Sequence, residues 1–563
     1  MRLNCLALSF LLAYLASCGK KGGDDPTPPP VIPPPLKALM VSSVSLNESP
    51  FDNTPYNITV SPIVKIKFSM PVSSATVSSS VALSNNNGGT TVPVTTMLQQ
   101  GDSLLVIQPS SPLTYLSGFT LQVGTTLKSA EGGALSAAVS KSFFTRIDST
   151  RKFPALSDDD LLTLVQQQTF KYFWDFAHPV SNLARERSNG DNNVVTTGGS
   201  GFGIMAIITG VDRGFVTRAQ GLAKLQTMVA FLKNTAQTFH GAYPHWLNGG
   251  TGAVVPFSAN DNGADLVETA YLMQGLLCAR QYFSGADAGE MGLRSDINTI
   301  WNKVEWDWFR QNNQNVLYWH YSPDKNWIIN MPIKGWNECL ITYVLAASST
   351  THSVPASVYS TGWAGNGSNG FTNGGSYYGI SLPLGPNLGG PLFFEHYSFL
   401  GINPTGLSDA YANYATQTKN HTLINYTYCK TNPKGYFGYS DSVWGLTASD
   451  IQNGYTASSP TNDVSVIAPT AALSSFPYTP KESMQALRFF YYVLGDKIWK
   501  TYGFTDAFSL NNLWFADSFL AIDQGPIIVM IENYRTKLLW DLFSSCPEVK
   551  TGMQNLGFSA PYL

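Results

Sequence analysis

The chain has 563 residues, a formal net charge of -3 and charged side chains at 13% of its positions. A chain of this length is expected to form more than one domain. Nucleic-acid binding requires a basic face, and the lysines and arginines here form no cluster beyond short pairs, which argues against that class of partner.

The first eighteen residues, MRLNCLALSFLLAYLASC, have the basic start and apolar run of a signal peptide rather than a membrane span. Leu15 to Cys18 resemble the bacterial lipobox, which implies that Cys18 is the lipidated first residue of the mature protein. An ordinary secretory signal with an incidental cysteine is the alternative. The proline-rich residues 19–36 predict an extended linker. We therefore expect a lipoprotein of the bacterial outer membrane, on its periplasmic or cell-surface side.

Residues 37–148 have the alternating pattern of half-buried strands. In VKIKF, Val64, Ile66 and Phe68 share one face, and Gly- and Asn-rich turns separate such runs. The segments IVKIKFSMPV, LLVIQPSSPL and KSFFTRID resemble bacterial Ig-like domains, which implies an all-β sandwich. Without clustered acids, this domain is expected to act as a spacer or docking module.

The period changes to a helical one at about Leu156, and all 13 tryptophans lie at or after Trp174. DDDLLTLVQQQTFKYFWDFA begins with acids and continues with an apolar stripe, which predicts a helix. Further helical segments continue to the end of the chain, joined by Gly-, Asn- and Ser-rich loops. This pattern predicts an all-α domain over 156–563, which fits a closed toroid of helical hairpins, although periodicity alone also allows an open solenoid. The run GGSGFG is expected to form a tight turn before a helix.

Three acids are crowded into the stretch SANDNGADLVETAYLMQGLL. Asp261, Asp265 and Glu268 are spaced to share one side of a helix, where like charges repel unless something compensates them. A helix start that uses these acids as capping groups is the simpler interpretation. Three acids in a chain poor in charge favour a polar cavity instead.

Acid chemistry of this kind points to glycoside hydrolysis, in which one carboxyl group protonates the leaving oxygen and a second activates water or attacks carbon. The chain has no His-Glu-x-x-His zinc motif and no Gly-x-Ser-x-Gly elbow. KGWNECL supplies a partner acid, Glu338, beside Trp336. The alternative is a helix-terminal glutamate beside a core tryptophan. Widely spaced cysteines indicate neither a zinc site nor a disulfide framework, and we expect no metal and no cofactor.

Further loop residues are candidates for sugar binding through hydrogen bonds or ring stacking, although surface ion pairs and structural histidines are the simpler explanations. These candidates are Arg185, Glu186, His245, Trp246, Trp336, Glu395, His396, Tyr397 and Trp444.

The segments TTGGSGFGIMAIITGVDRGFVTR, HGAYPHWLNGGTG, PFSANDNGADLVETAYLMQGLLCARQYF, KGWNECL and GPLFFEHYSFLG resemble the glucoamylase-like enzymes of Bacteroidetes in glycoside hydrolase family 144. The resemblance covers residues 156–563 and implies an (α/α)6 toroid, inversion at the anomeric carbon and a linear β-1,2-glucan substrate. It also implies catalytic roles for Asp261, Asp265, Glu268 and Glu338, with Asp261 or Glu268 acting opposite Glu338.

The sequence therefore predicts a lipid-anchored hydrolase that cuts linear β-1,2-glucan internally. An exo-acting enzyme that releases sophorose is a close alternative, because loop lengths decide whether a groove is open at both ends. A lyase is a weaker alternative, since lyases normally need cationic groups against a uronate. A non-catalytic surface protein that binds glycans is the remaining alternative.

Overall fold

The computed structural model describes residues 35–368 and 370–563. The predicted lipidation site Cys18 and most of the predicted linker lie outside these residues. The chain forms two compact units: residues 35–55, Ser61–Leu113 and Phe119–Phe143 make the first, and Tyr56–Val60, Thr114–Gly118 and Phe144–Leu563 make the second. Within the described ranges, no helix has the length and apolar character needed to cross a membrane.

The first unit contains two β-sheets and one short helix. The five-stranded antiparallel sheet has the order β2-β1-β3-β7-β6, and the four-stranded sheet has the order β5-β4-β8-β9. The elements are β1 (Val41–Leu46), β2 (Ser49–Pro50), β3 (Val64–Phe68), α1 (Ser74–Ser80), β4 (Val81–Asn85), β5 (Thr91–Val92), β6 (Val94–Gln99), β7 (Leu104–Pro109), β8 (Gly118–Val123) and β9 (Val139–Phe144).

Alternating burial in these strands explains the core of the first unit. Val64, Ile66 and Phe68 of β3 are buried, whereas the two lysines between them are more exposed. Strand β8 buries Phe119 and Leu121 in the same way. The predicted inward face of VKIKF is therefore confirmed, as expected for strands that cover a core on one side.

The second unit is built mainly from helices. They are α2 (Asp158–Trp174), α3 (Thr197–Asp212), α4 (Arg218–Asn234), α5 (Leu266–Tyr282), α6 (Ala288–Trp301), α7 (Leu340–Ser348), α8 (Tyr414–Thr431), α9 (Pro469–Leu473), α10 (Pro480–Tyr492), α11 (Gly495–Ile498), α12 (Ala521–Arg535), α13 (Leu538–Ser544) and α14 (Pro547–Asn555). The predicted helix at DDDLLTLVQQQTFKYFWDFA is confirmed: Ser157 caps α2 by accepting a hydrogen bond from the Asp160 backbone N–H.

The expectation of an all-α domain is wrong in one respect, because the loops between the helices pair into short sheets. The additional strands are β10 (Val194–Thr196), β11 (Trp246–Asn248), β12 (Val254–Val255), β13 (Ala264–Asp265), β14 (His320–Tyr321), β15 (Thr372–Tyr377), β16 (Ile380–Leu384), β17 (Ala448–Ile451), β18 (Gly454–Ala457), β19 (Trp499–Lys500), β20 (Gly503–Phe504), β21 (Phe508–Ser509) and β22 (Trp514–Phe515). Backbone pairing in these loops satisfies peptide groups that would otherwise lack partners.

Helices α3 and α5 pack unusually closely because each presents a glycine to the other. A Cβ at Gly201 would lie 2.2 Å from the Tyr271 carbonyl oxygen, and one at Gly275 would lie 2.2 Å from the Gly201 carbonyl oxygen. The GGSGFG run therefore lies inside α3, which corrects the expected turn before a helix. Its glycines bring the backbones of the two helices together.

Candidate active site

A cavity of about 570 Å³ lies where several helices of the second unit begin. Residues at or just before the first turns of α3, α5, α7 and α12 reach it, namely Thr196, Glu268, Glu338 and Leu520. Helix N-termini carry partial positive charge, which favours carboxylates there. The remaining lining residues are Glu186, Arg187, His245, Trp246, Phe257, Tyr271, Trp319, Phe393, Tyr397, Ala448, Tyr455, Ala457 and Ile522.

Glu268 is held by donors at the start of α3. The Gly198 backbone N–H donates to Glu268 Oε2 at 2.7 Å, and the Thr196 hydroxyl donates to the same oxygen at 3.4 Å. A Cβ at Gly198 would lie 2.6 Å from Oε2, so glycine is required for this approach. Burial raises the pKa of Glu268 to about 7, although these donors favour its charged form.

Asp265 caps helix α5 instead of lying within it. Its Oδ1 accepts the backbone N–H groups of Val267 and Glu268 at 3.0 and 2.9 Å. Its backbone is extended and pairs with His320 in the β13–β14 ladder. The expectation that Asp261, Asp265 and Glu268 occupy one helix face is therefore wrong, because α5 begins only at Leu266.

His245 compensates the buried charge of Asp265. Its Nδ1 lies 2.9 Å from Asp265 Oδ2. Burial opposes the charged imidazolium, but the negative charge of Glu268 and the hydrogen bond to Asp265 outweigh it and raise the pKa of His245 to about 9. Burial would also raise the pKa of Asp265, but the bond from His245 holds it below its ordinary value. The pair is therefore an imidazolium-carboxylate pair at neutral pH.

Asp261 lies in the loop before α5, outside the residues that line the 570 Å³ cavity. Its Oδ2 is 3.6 Å from His320 Nε2. Burial, together with the neighbouring charge of Asp265, raises the pKa of Asp261 to about 7. Ligand atoms of His245, Asp261 and Asp265 lie within 4.8 Å of one another, which is the spacing of a metal site, but His245 must lose its second ring proton before it can bind an ion.

Glu338 reaches the cavity from a different segment from Glu268, two residues before α7 begins. Burial raises the pKa of its carboxyl group to about 7, and the charges of Asp265 and Glu268 act in the same direction. The described residues provide no ion-pair partner for Glu338. The structure thus brings Glu268 and Glu338, from two separate segments, to one cavity.

Aromatic rings cover the walls of this cavity. The Phe257 ring centroid lies 4.4 Å from that of His245 and 4.8 Å from that of Trp246, and Phe257 is 51% exposed. Elsewhere in the lining, Phe393 stacks on Tyr397 with centroids 5.2 Å apart. Aromatic faces beside acids suit the CH groups and hydroxyls of a sugar ring.

Comparison with known proteins identifies the family. The family model named "Glycoamylase", which describes a glucoamylase-like domain, matches residues 330–547, and one for a bacterial Ig-like domain matches residues 44–145. The structure of an endo-β-1,2-glucanase from Chitinophaga pinensis, in complex with sophorotriose and glucose, is 52% identical, with a TM-score of 0.71, and the match covers 73% of this chain and all of that one. The chain belongs to glycoside hydrolase family 144.

Two proteins from Parabacteroides distasonis are also similar to this chain. A β-1,2-glucanase structure is 37% identical with a TM-score of 0.70, and the match covers 92% of this chain and 73% of that one. An exo β-1,2-glucooligosaccharide sophorohydrolase acting at the non-reducing end is 46% identical over 420 residues. That match covers 71% of this chain and 58% of the relative, so this chain spans little more than half of that protein.

Several candidate sugar-binding residues of this family 144 chain lie in the core. Trp336 is 3% exposed, and its Nε1–H donates to Glu395 Oε1 at 3.1 Å. Glu395 also accepts from Gln417 and contacts His421. The assignment of Trp336 and Glu395 to substrate binding is therefore contradicted, because both side chains are buried, bond to each other and lie outside the residues that line the cavity.

His396 and Trp444 are corrected for the same reason. His396 is 1% exposed and contacts the Ser475 hydroxyl, and burial lowers its pKa to about 3. Trp444 is fully buried, and its Nε1–H donates to the Glu482 carbonyl oxygen at 3.3 Å. Neither of these side chains is available to a sugar in the cavity.

Among the arginines, Arg187 rather than Arg185 lines the cavity. Arg187 forms an ion pair with Glu186 at 2.9 Å and with Asp450 at 3.1 Å. Arg185 points elsewhere: its Nε–H donates to the Asn192 carbonyl oxygen at 2.9 Å, and its guanidinium lies over the Phe176 ring. Of the other candidates, Glu186, His245, Trp246 and Tyr397 all line the cavity.

Other lining residues carry no distinguishing sequence signal. Phe257 and Trp319 lie in loops, Tyr455 lies in strand β18, and Tyr271 lies in the apolar run of α5. His320 joins the acidic group only because β13 and β14 pair. A loop aromatic near the acids is the one feature that could have marked Phe257 in advance.

Proposed function

We propose that this chain hydrolyses linear β-1,2-glucan within the polymer, with inversion at the anomeric carbon. The observation that carries the proposal is the convergence of Glu268 and Glu338 on one aromatic-walled cavity. Two carboxyl groups on opposite sides of a scissile bond are what inverting hydrolysis requires, roughly 6.5 to 9.5 Å apart with water between. The β-1,2-glucanases of Chitinophaga and Parabacteroides support the choice of substrate.

Glu338 acts as the general acid in this proposal. Its carboxyl group is enclosed without an ion-pair partner among the described residues, and burial raises its pKa to about 7. A protonated carboxyl group is thus present at neutral pH to donate to the glycosidic oxygen as the bond to the anomeric carbon breaks.

Glu268 acts as the general base. The Gly198 N–H, the Thr196 hydroxyl and the cationic His245 all favour its ionised form. The carboxylate removes a proton from the water that attacks the anomeric carbon, which balances the proton that Glu338 supplies. Asp265 acts as a positioning residue, since it fixes both the first turn of α5 and the His245 ring.

Exo-action that releases sophorose from a chain end is the second candidate. The 46% identity to the Parabacteroides sophorohydrolase favours it. The size of the first products separates the two: internal cleavage gives mixed oligosaccharides, whereas exo-action gives only the disaccharide from the start of the reaction.

We also propose an (α/α)6 toroid for the helical unit and a lipid anchor at Cys18 on an outer-membrane protein. Helices α3, α5, α7 and α12 beginning around one cavity support the toroid. The lipobox-like Leu15 to Cys18 supports the anchor. Metabolic labelling with a fatty acid, compared with a Cys18→Ala variant, tests the anchor.

Incubation of the purified protein with linear β-1,2-glucan tests the proposed reaction. Short saturated oligosaccharides with the α-anomer formed first are expected, as seen by chromatography and NMR. Unsaturated ends would indicate a lyase. Tight binding without turnover would instead support the non-catalytic glycan-binding alternative.

A further inference from the structure

A second cavity of about 600 Å³, here called the outer cavity, adjoins the candidate active site. Arg187 and Tyr455 line both cavities. The lining of the outer cavity also includes Asn189, Asp450, Gln452, Trp514, Asp517 and Ser518. None of these other residues belongs to the active-site lining, so the outer cavity is a separate space behind a shared boundary.

We propose that the outer cavity binds further glucosyl residues of the glucan chain whose scissile bond lies between Glu268 and Glu338. This inference rests on the proposed function. It assigns the outer cavity a ligand class, neutral β-linked glucose units, and makes Trp514 and Tyr455 its stacking residues.

The β17–β18 hairpin connects the two spaces. Ala448 and Ala457 face each other in its ladder and line the active site, whereas Ile451 and Gly454, paired nearer the turn, line the outer cavity. Tyr455 is common to both. A chain that leaves the active site along this hairpin therefore meets the outer cavity directly.

Ion pairs and a hydrogen bond tie the boundary between the cavities together. Arg187 is held on one side by Glu186 of the active site and on the other by Asp450 of the outer cavity. The Ser518 hydroxyl also donates to Asp450, at 2.5 Å. Fixed charged groups of this kind keep a binding surface organised before the ligand arrives.

The charge balance at this boundary selects a neutral ligand. The two carboxylates around Arg187 outnumber its single guanidinium, and Asp517 adds a further exposed negative charge. An anionic polysaccharide or a phosphate group would therefore meet net negative charge. Sugar hydroxyls, by contrast, both donate and accept, so they match carboxylates and amides equally well.

The aromatic rings of the outer cavity are free to stack. Tyr455 is 48% exposed and Trp514 is partly exposed. Within the described part of the chain, neither ring packs face to face or edge to face with another aromatic ring. Asn189 and Gln452 supply exposed amides beside these rings. Exposed ring faces with polar groups nearby are the combination that sugar-binding sites use.

Calorimetric binding to a Glu338→Gln variant tests the inference without turnover. β-1,2-linked glucose oligomers of increasing length are titrated into this variant and into Glu338→Gln with Trp514→Ala. Affinity should rise with oligomer length in the first protein, and the second should lose about three- to tenfold of the gain for long oligomers, as expected for one ring contact. Glu338→Gln with Tyr534→Ala, which removes an exposed tyrosine outside both cavities, is the matched control.

The possible results distinguish a failure of the outer-cavity proposal from a failure of the proposed hydrolysis. Affinity independent of length, or an unchanged length dependence after Trp514→Ala, overturns the outer-cavity assignment while the proposed hydrolysis stands. If the wild-type protein does not cleave β-1,2-glucan and the Glu338→Gln variant binds no oligomer of any length, the proposed function itself fails. Melting temperatures of the three variants within a few degrees of one another show that the fold is intact.

Discussion

Replacement of Gly198 by alanine should lower catalytic activity far more than it changes the stability of helix α3. The new Cβ would lie 2.6 Å from Glu268 Oε2 and 2.8 Å from the Tyr271 ring, which is closer than unbonded atoms approach. The Glu268 carboxylate must therefore move away from the Gly198 N–H, to which it is now bonded at 2.7 Å. Loss of a hydrogen bond to a charged group costs about 1.5–3 kcal/mol.

This cost sets the expected kinetic effect. At about 1.4 kcal/mol for each factor of ten, kcat/KM should fall by about 10- to 100-fold on linear β-1,2-glucan. Alanine is a better helix former than glycine by about 1 kcal/mol, which offsets part of the steric cost of about 1–3 kcal/mol. The free energy of unfolding should therefore change by no more than about 2 kcal/mol.

Gly292→Ala is the matched control, because Gly292 also lies inside a helix, α6, but has no atom within 4 Å of the position of a Cβ. It should retain wild-type kcat/KM and raise the free energy of unfolding by up to about 1 kcal/mol. Reducing-end assays and urea unfolding measure both quantities. A Gly198→Ala enzyme with wild-type kcat/KM would refute the placement of the catalytic carboxylate at the α3 N-terminus.

Three further predictions follow from the same contacts. Glu338→Gln should lower kcat by about 10²- to 10⁴-fold with little change in melting temperature. Product formation and calorimetry measure these two quantities, and a rate within twofold of wild type would rule out the role of Glu338 as the acid. The pH profile of kcat/KM should be bell-shaped near pH 7, because Glu338, with a pKa raised to about 7, loses its proton above that pH, whereas Glu268 gains one below it; the two limbs belong to the pair. A flat profile between pH 5 and 9 would contradict this assignment. Trp336→Ala should lower the free energy of unfolding by about 3–5 kcal/mol, because this indole is only 3% exposed. Trp246→Ala, at the cavity, should raise KM with a smaller loss of stability. Urea unfolding and initial rates measure the two effects, and the opposite pattern would reverse the placement of the two tryptophans.

Sequence patterns correctly predicted the helices and strands that depend on interactions between residues close together in the chain. The alternation in VKIKF is sufficient to orient β3, and Ser157 followed by three acids is sufficient to begin α2. The crowded acids also pointed to a real cavity, since Glu268 lines it. The same spacing could not separate a helix cap from a helix interior, because Asp265 meets the requirements of both positions.

Long-range packing decided what local patterns could not. Trp336 and Trp246 both lie in polar sequence motifs, yet Trp336 packs beside Trp363 and Tyr414, which come later in the chain. Trp246 instead faces Phe257 at the cavity. Burial of a loop tryptophan depends on which distant segments cover it, and one sequence carries no direct signal of that contact.

The two carboxyl groups of the cavity and its aromatic walls lie on different kinds of element. Glu268 and Glu338 lie at or beside the first turns of α5 and α7, two helices that pack into the core. Phe257 and Tyr455 lie on loops and a hairpin outside that framework. Insertions or exchanges in those outer segments would therefore change which chain lengths enter, without moving the two carboxyl groups proposed as acid and base. Product size and proton transfer would then depend on different parts of the same molecule.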